Sequence, residues 1–552
     1  MPSLLHPGVF VREIPGGARS IEGVPTSTTI FVGEAERGPL AVTPINGRTE
    51  YQRLFGGYRR RPAGVGVEAA DSSRLLMPYA LDGFFSNGGT SAYILRLCDG
   101  FNVIDADTTS VALRQEPGGG AEFVEASSPG TWGNSVSVAA ALSTDATAAS
   151  DRNRFRLAVF YTPPGSSTRV LVEEFDRLSV DDPLDENFVV DVLRRSNYIR
   201  WRQGVAPFVP ANLDNVDITP RFPTAAELSG SAQLLAGGAG GDGDFDAADL
   251  PVFLTDRLQE VDDASLMVAA SSRLLPEAAI GNADFVNFEN HFVTFVDNRP
   301  LRDLFFIGDL PSLREQGSVG LAVREAATLA GGTLTSTEYN AVYWPHIEVA
   351  DPAGTGRNPA LMIPPAGHIA GVYARTDGRR GVWKAPGGLE AQLNGAQGAE
   401  FEVLDIHQDT LNPRAVNALR QVPAGPTRPL VIWGVRTRRP TTEWRYIPVR
   451  RTAIFLRISI YQNIQWAVFE PNDYRLWQTL RNTIGAFMEI QFRNGAFAGE
   501  TSREAYFVKV DAETTTPDDQ AAGIVNILVG FAPLRPAEFV VVSLQQMAGR
   551  QR

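Results

Sequence analysis

Glycines 238, 240 and 243 give the spacing G-x-G-x-x-G, in which backbone N–H groups can close on a pyrophosphate. A dinucleotide site also needs a strand before the loop, a helix opening in it and an acid about 20 residues further on. Asp262 and Asp263 fall near that distance. Glycine-dense turns meet so loose a pattern readily, so two readings stand: a plain loop before a helix, or the phosphate cradle of a nucleotide-binding α/β enzyme using Gly238 to Gly243. The adjoining Asp242, Asp244 and Asp246 imitate the start of a calcium loop, but the sixth position is Ala247 instead of glycine and the twelfth is Phe253 instead of a bidentate glutamate. The five histidines, His6, His291, His346, His368 and His407, show no ligand spacing and read as structural. No G-x-S-x-G elbow is present, and Cys98, the only cysteine, ends an apolar strand where an inert thiol is expected. No catalytic residue, metal or cofactor is therefore assigned.

One charge cluster stands apart. Between Arg428 and Arg457 the chain carries eight arginines, among them Arg436, Arg438, Arg439, Arg450, Arg451 and Arg457, against the single acid Glu443. The formal charge of the whole chain is −13. Such a segment is either a solvated face with some internal ion pairs, or a basic surface that docks an acidic partner.

The elements that must hold these residues follow from pattern. At 552 residues the chain is too long for one core, and 43% hydrophobic with 20% charged residues describes an ordinary globular protein. The acidic balance argues against direct nucleic-acid binding. No apolar run reaches the ~18 residues of a membrane span and no signal peptide is readable, so folding in a cytoplasm without membrane insertion is expected. From Thr26 to about Asp99, TSTTIFVG, LLMPYALDGFFSNGG and SAYILRL alternate strand, helix and strand. From Phe101 to Ser231, short runs (RFRLAVFY, TRVLVEEF, NFVVDVL) read as strands of an inserted β-rich domain. The α/β alternation resumes with LPVFLTDRLQEV, SLMVAAS and LRDLFFIGDL. In PNDYRLWQTLRNTIGAFMEI, Leu476, Leu480, Ile484 and Phe487 share one helical face behind a cap-like Asn472-Asp473; RRTAIFLRISIYQNIQWAV before it also reads as helix. A lone β-like stretch stands at each end, Val9-Phe10-Val11 and Phe539-Val540-Val541-Val542. Neither can satisfy its backbone groups by itself. For the first, a hairpin with TSTTIFVG and pairing with another copy are both open.

The segment PPAGHIAGVYARTDGRRGVWKAP, Pro364 to Pro386, resembles the signature of contractile tail sheath proteins, found in bacteriophage tails and related contractile injection systems. PGVFVREIPGGARSIEGVPTSTTIFVGEAERGP, LAGGAGGDG, LNPRAVNALR, WGVRTRR, EWRYIPVRR, FEPND and PAEFVVVSLQQ resemble the same family in the same order.

The resemblance implies a non-enzymatic structural subunit that polymerises as stacked hexameric rings around an inner tube and contracts to drive the tube through a target membrane. Partners implied are further copies of the chain, the inner tube protein, and baseplate and terminator or cap proteins. Assembly in the bacterial cytoplasm into a phage tail or tail-like injection particle is implied as well. The architecture expected is α/β and α+β multidomain: an N-terminal arm (1–20), an α/β core in two parts (21–100 and 231–400), the inserted β-rich domain (101–230), a C-terminal α+β sheath domain (401–535) and a C-terminal arm (536–552). The arms, pivoting at Gly16-Gly17 and at Pro533 and Pro536, add their strands to sheets of neighbouring copies. About 20 extended residues span roughly 60 Å, enough to reach one. The inner-tube contact is expected from Arg436, Arg438, Arg439, Arg450, Arg451 and Arg457 or from the helix that begins near Asn472.

Overall fold

The computed structural model describes residues 20–58, 74–97, 113–115, 122–143, 154–163, 168–202, 233–234, 247–274, 281–354, 357, 359–423 and 428–539. They fall into two compact units, Pro25–Arg451 and the residues up to Val24 together with those from Thr452 on.

The larger unit is built on an eight-stranded sheet. With strands numbered along the chain, it comprises β1 (Thr29–Glu34), β2 (Thr43–Ile45), β3 (Ala92–Leu97), β11 (Leu266–Ala269), β12 (Phe305–Asp309), β13 (Asn340–Trp344), β17 (Val416–Gln421) and β18 (Leu430–Trp433), in the order β18-β17-β13-β12-β11-β1-β3-β2. From β17 to β3 all neighbours are parallel, and only the outermost strands β18 and β2 pair antiparallel. β1, β11, β12 and β13 are buried at every residue, as central strands covered on both faces must be. That is why TSTTIFVG and SLMVAAS read as continuous apolar runs. A small sheet, β14 (Ile347–Ala350), β15 (Ala360–Ile363) and β16 (Ala396–Ala399), follows β13.

The signature segment forms the helix Ala366–Arg380, which packs on the helix Met77–Asn87 through small residues. A Cβ on Gly367 would stand 2.5 Å from the Ala80 carbonyl oxygen, and one on Gly371 2.4 Å from that of Phe84. Only glycine permits this approach. Gly88, with φ of +115°, ends the Met77 helix in the left-handed conformation.

Between β3 and β11, antiparallel strands β4 (Leu113–Gln115), β5 (Glu122–Ala126) and β9 (Ile199–Trp201) form one sheet. β6 (Val136–Leu142), β7 (Arg154–Tyr161), β8 (Val170–Ser179) and β10 (Gln233–Leu234) form another. Trp132, Phe155, Leu157, Val189 and Trp201 belong to one core cluster here. NFVVDVL departs from its reading as a strand: Val189–Leu193 is helical, because Val189 and Leu193, four apart, bury together on one side.

The domain borders also move. β17 pairs with β13 and β18 with β17, so residues assigned to a C-terminal domain from 401 belong to the larger unit as far as Arg451. Residues 21–24, assigned to the core, group with the C-terminal unit: the Val24 amide donates to Ser459 Oγ at 3.0 Å and the Glu22 amide to Asn463 Oδ1 at 3.3 Å.

The smaller unit contains most of the helix Ile447–Asn463, the helix Tyr474–Arg493 and a two-stranded sheet of β19 (Tyr506–Lys509) and β20 (Leu528–Phe531). Asp473 caps the Tyr474 helix, accepting from the amides of Arg475 (2.9 Å) and Leu476 (3.1 Å). Leu476, Leu480, Ile484 and Phe487 are all buried. Among the described residues no helix is long and apolar enough to cross a membrane.

Candidate functional site

In a parallel sheet of this kind ligands bind beyond the carboxyl ends of the strands, where the strand order reverses. Here that point lies between β1 and β11, since the chain leaves β1 for β3 on one side and resumes with β11 on the other. It is closed. Glu34, at the end of β1 and wholly buried, accepts from Ser271 Oγ (2.8 Å), Ser272 Oγ (3.1 Å) and the Ser272 amide (2.8 Å). A Cβ on Gly33 would lie 2.1 Å from the Ala270 carbonyl oxygen, so β1 and β11 leave no room for a ligand between them.

One strand further, Asp309 accepts from the Ala366 amide at 3.1 Å and Glu289 from the Asp309 amide at 3.3 Å. Both carboxyls are buried, and desolvation holds them well above the usual carboxylate range, Glu289 further raised by the charge of Asp309. His346 donates from Nε2 to the Leu310 carbonyl (2.8 Å), His368 packs beside Gly83, and burial lowers the pKa of each to about 4. His407 Nδ1 accepts from the Leu404 amide at 3.1 Å at the start of the helix Asp405–Leu411. Gly238 to Gly243, His6 and Cys98 lie outside the described residues. Among the described residues no group of three or more His, Cys, Asp or Glu could hold a metal ion.

Four of the eight arginines turn inward, which corrects their assignment to an inner-tube face. Arg436, Arg438, Arg450 and Arg451 are 8%, 4%, 5% and 4% exposed. Arg436 donates to the Asn412 carbonyl at 2.9 Å. Arg438 donates to the carbonyls of Arg414 and of Ala330, the latter near the end of the helix Val319–Gly332, and burial pulls its guanidinium down to about 10. Arg450 lies over the rings of Tyr339 (4.2 Å) and Trp444 (4.5 Å) and bonds the Tyr339 hydroxyl. Arg451 grips Asp377 at 2.6 and 3.0 Å and donates to the Thr26 carbonyl at 2.8 Å. Their charge is consumed by carbonyls, rings and one carboxylate of the same unit. Arg428, paired with Glu402 at 3.3 Å, Arg439, half exposed beside Glu338 at 3.9 Å, and Arg457 are the exposed members of the cluster.

The smaller unit carries a surface that the charge pattern did not announce. Ten of the eighteen large apolar side chains exposed among the described residues lie between Tyr461 and Phe539. Phe469 is fully exposed (102%) with a left-handed φ of +68°, an unfavourable combination for an aromatic residue. Val468 and Tyr474 flank it, exposed. In the hairpin, Tyr506 pairs with Phe531 and Lys509 with Leu528, and among the described residues neither strand has a partner in its sheet on its other side. Phe507 and Leu528 are about half exposed there. Pro533, an expected pivot, is held to Phe497 by an isolated antiparallel bridge, and Pro536 lies outside any strand. Phe539 is exposed and outside any strand. Val9, Phe10, Val11, Gly16, Gly17, Val540, Val541 and Val542 lie outside the described residues. The short apolar run Tyr506-Phe507-Val508 is the signal in the sequence that could have marked β19.

Similarity to known proteins falls on the same region and then widens. Residues 439–546 match the family model described as the phage tail sheath C-terminal domain. No curated protein matches the chain. In fold, the chain is similar to the sheath complex of the extracellular contractile injection system PVC in its contracted state, with a TM-score of 0.56 and 20% identity over 99% of each chain. It is likewise similar to the contracted helical sheath of the anti-feeding prophage, with a TM-score of 0.55 and 22% identity over 99% of this chain and 100% of that one. The sheath tail protein Lin1278 of Listeria innocua aligns with a TM-score of 0.56 and 14% identity over 93% and 96%. The described residues thus have a mixed α/β fold similar to that of these sheath proteins, and residues 439–546 resemble the sheath C-terminal domain in sequence.

Proposed function

We propose that the chain is the structural subunit of a contractile tail sheath, polymerising as stacked hexameric rings around an inner tube and contracting to drive that tube through a target membrane. The observation that carries this is the hairpin β19–β20, which has no third strand among the described residues, in the unit that contains most of the match to the sheath C-terminal domain. Strands from the terminal arms of other copies, Val9 to Val11 and Phe539 to Val542, complete that sheet. Each addition, of three or four residues, supplies about 2–4 backbone hydrogen bonds, at about 1 kcal/mol net apiece. Exchange between neighbours is head-to-tail, which builds an open helix. Rigid cores slide and rotate on contraction while the arms, flexing at Gly16-Gly17 and near Pro536, keep copies linked. Baseplate and cap proteins hold the two ends, and Arg439 and Arg457 or the Tyr474 helix meet the tube.

Electron microscopy of the purified protein tests the reading. Striated tubes are expected; discrete particles at every concentration and salt would count against it.

A further inference from the structure

The helix Ala366–Arg380 is used along most of its length by contacts already described, but Arg379 in its last turn is not. Arg375 is satisfied: its guanidinium donates to the Asn87 carbonyl (3.1 Å), Asn87 Oδ1 (3.2 Å) and the Gln392 carbonyl (2.6 Å). Arg380 pairs with Glu390 at 2.8 Å. Arg379, exposed, has no partner among the described residues and stands near enough to Arg375 for the two charges to repel, which together with burial lowers the pKa of Arg375. Two adjoining depressions of about 480 Å³ each flank this pair. Ser27 and Thr90 line the first, Asn394 lines both, and the only acid in either is Glu390, already held by Arg380. A cation at a helix C-terminus relieves the helix dipole, but that accounts for one arginine and for no groove.

From this we infer that the groove around Arg379 is a carboxylate-binding site that receives an acidic segment of a second copy of the chain. The inference rests on the sheath reading. Charge complementarity names the occupant: a chain of formal charge −13 presents carboxylates wherever copies meet, whereas a nucleic acid is repelled by the whole. The richest such surface is the loop from Asp181 to Glu186, with four acids in six residues around Leu184, which is 93% exposed. Asp181 and Glu186 have no partner among the described residues. A groove and a loop at different places on one chain make the heterologous contact that an open helical assembly needs.

The test uses the full-length protein and its polymers. Arg379→Glu, at an exposed position with no internal partner, is expected to keep the wild-type melting temperature while raising the concentration at which tubes appear about tenfold. Arg379→Lys is expected to assemble as wild type and to provide an amine. Tubes of this variant, mixed from ¹⁵N-labelled and unlabelled subunits, are then treated with a zero-length carbodiimide coupler. An amide between Lys at position 379 and an acidic peptide of the other isotopic copy supports the site. Wild-type assembly by Arg379→Glu, or amides formed only within one copy or not at all, overturns it while leaving the sheath reading intact. If the wild type itself forms no tubes, that reading falls and this site with it.

Discussion

Arg451 and Asp377 face each other as a bidentate pair, at 2.6 and 3.0 Å, with both side chains only 4% exposed. The pair joins the signature helix to the start of the Ile447 helix, and the guanidinium also lies 4.8 Å from the centre of the Tyr373 ring. A charge so enclosed tolerates loss of its partner badly, whereas an apolar pair of similar volume need not be worse than the ions. Asp377→Ala is therefore expected to cost about 3–5 kcal/mol in urea unfolding. The double variant Asp377→Leu with Arg451→Met should recover most of that loss. A single variant as stable as wild type would show the pair to be solvated.

Acid should destabilise the core through two histidines. The folded values of His346 and His368 are lowered to about 4 from 6.5, so folding holds them neutral while the unfolded chain protonates. The stability they contribute is complete above pH 6.5 and is lost as pH falls toward 4. Melting temperature recorded from pH 7 to 4 should fall through that window, and less steeply in His368→Asn.

The alkaline side carries the opposite sign. Glu289 and Asp309 are held protonated well above their unfolded range, so the unfolded chain releases protons that the folded chain keeps, and stability falls as pH rises. Glu289→Gln removes one of the two titrating acids. Relative to wild type it should gain melting temperature from pH 5 to pH 8; a pH-independent difference would contradict the buried pair.

Charge reversal should separate the inward arginines from the surface ones. Arg450→Glu is expected to unfold the protein, because it places an acid between the Tyr339 and Trp444 rings. Arg439→Glu and Arg457→Glu should fold and form tubes, yet weaken assembly templated by the inner tube, most at low salt where repulsion is least screened. Unchanged tube binding at every ionic strength would remove these residues from the tube contact.

Patterns local in sequence were legible. The buried stripe from Leu476 to Phe487 and the Asp473 cap follow from spacing within one helix, and β1 and β11 from unbroken apolar runs. Facts set by distant partners were not. Nothing between Arg428 and Arg457 reveals that Tyr339 and Asp377 lie against Arg450 and Arg451, 111 and 74 residues earlier in the chain, so the cluster read as surface. Likewise LNPRAVNALR looks the same whether it opens a new domain or adds β17 to the core sheet; the neighbour β13 decides. The candidate site fared similarly. The β-like stretches at the two ends stand out in the sequence because they have nothing local to pair with, whereas β19 and β20, short and half exposed, do not.

The claim at the centre is that strands from other copies complete the β19–β20 sheet. Cryo-electron microscopy of tubes grown from the full-length chain, beside a preparation lacking residues 1–19, tests it directly. The account predicts a sheet of more than two strands, in which Val9 to Val11 or Phe539 to Val542 of another copy lies along β19 or β20, and a truncated protein that folds but forms no ordered tubes. A hairpin left with both edges bare in the tube, or intact tubes from the truncated chain, would contradict it.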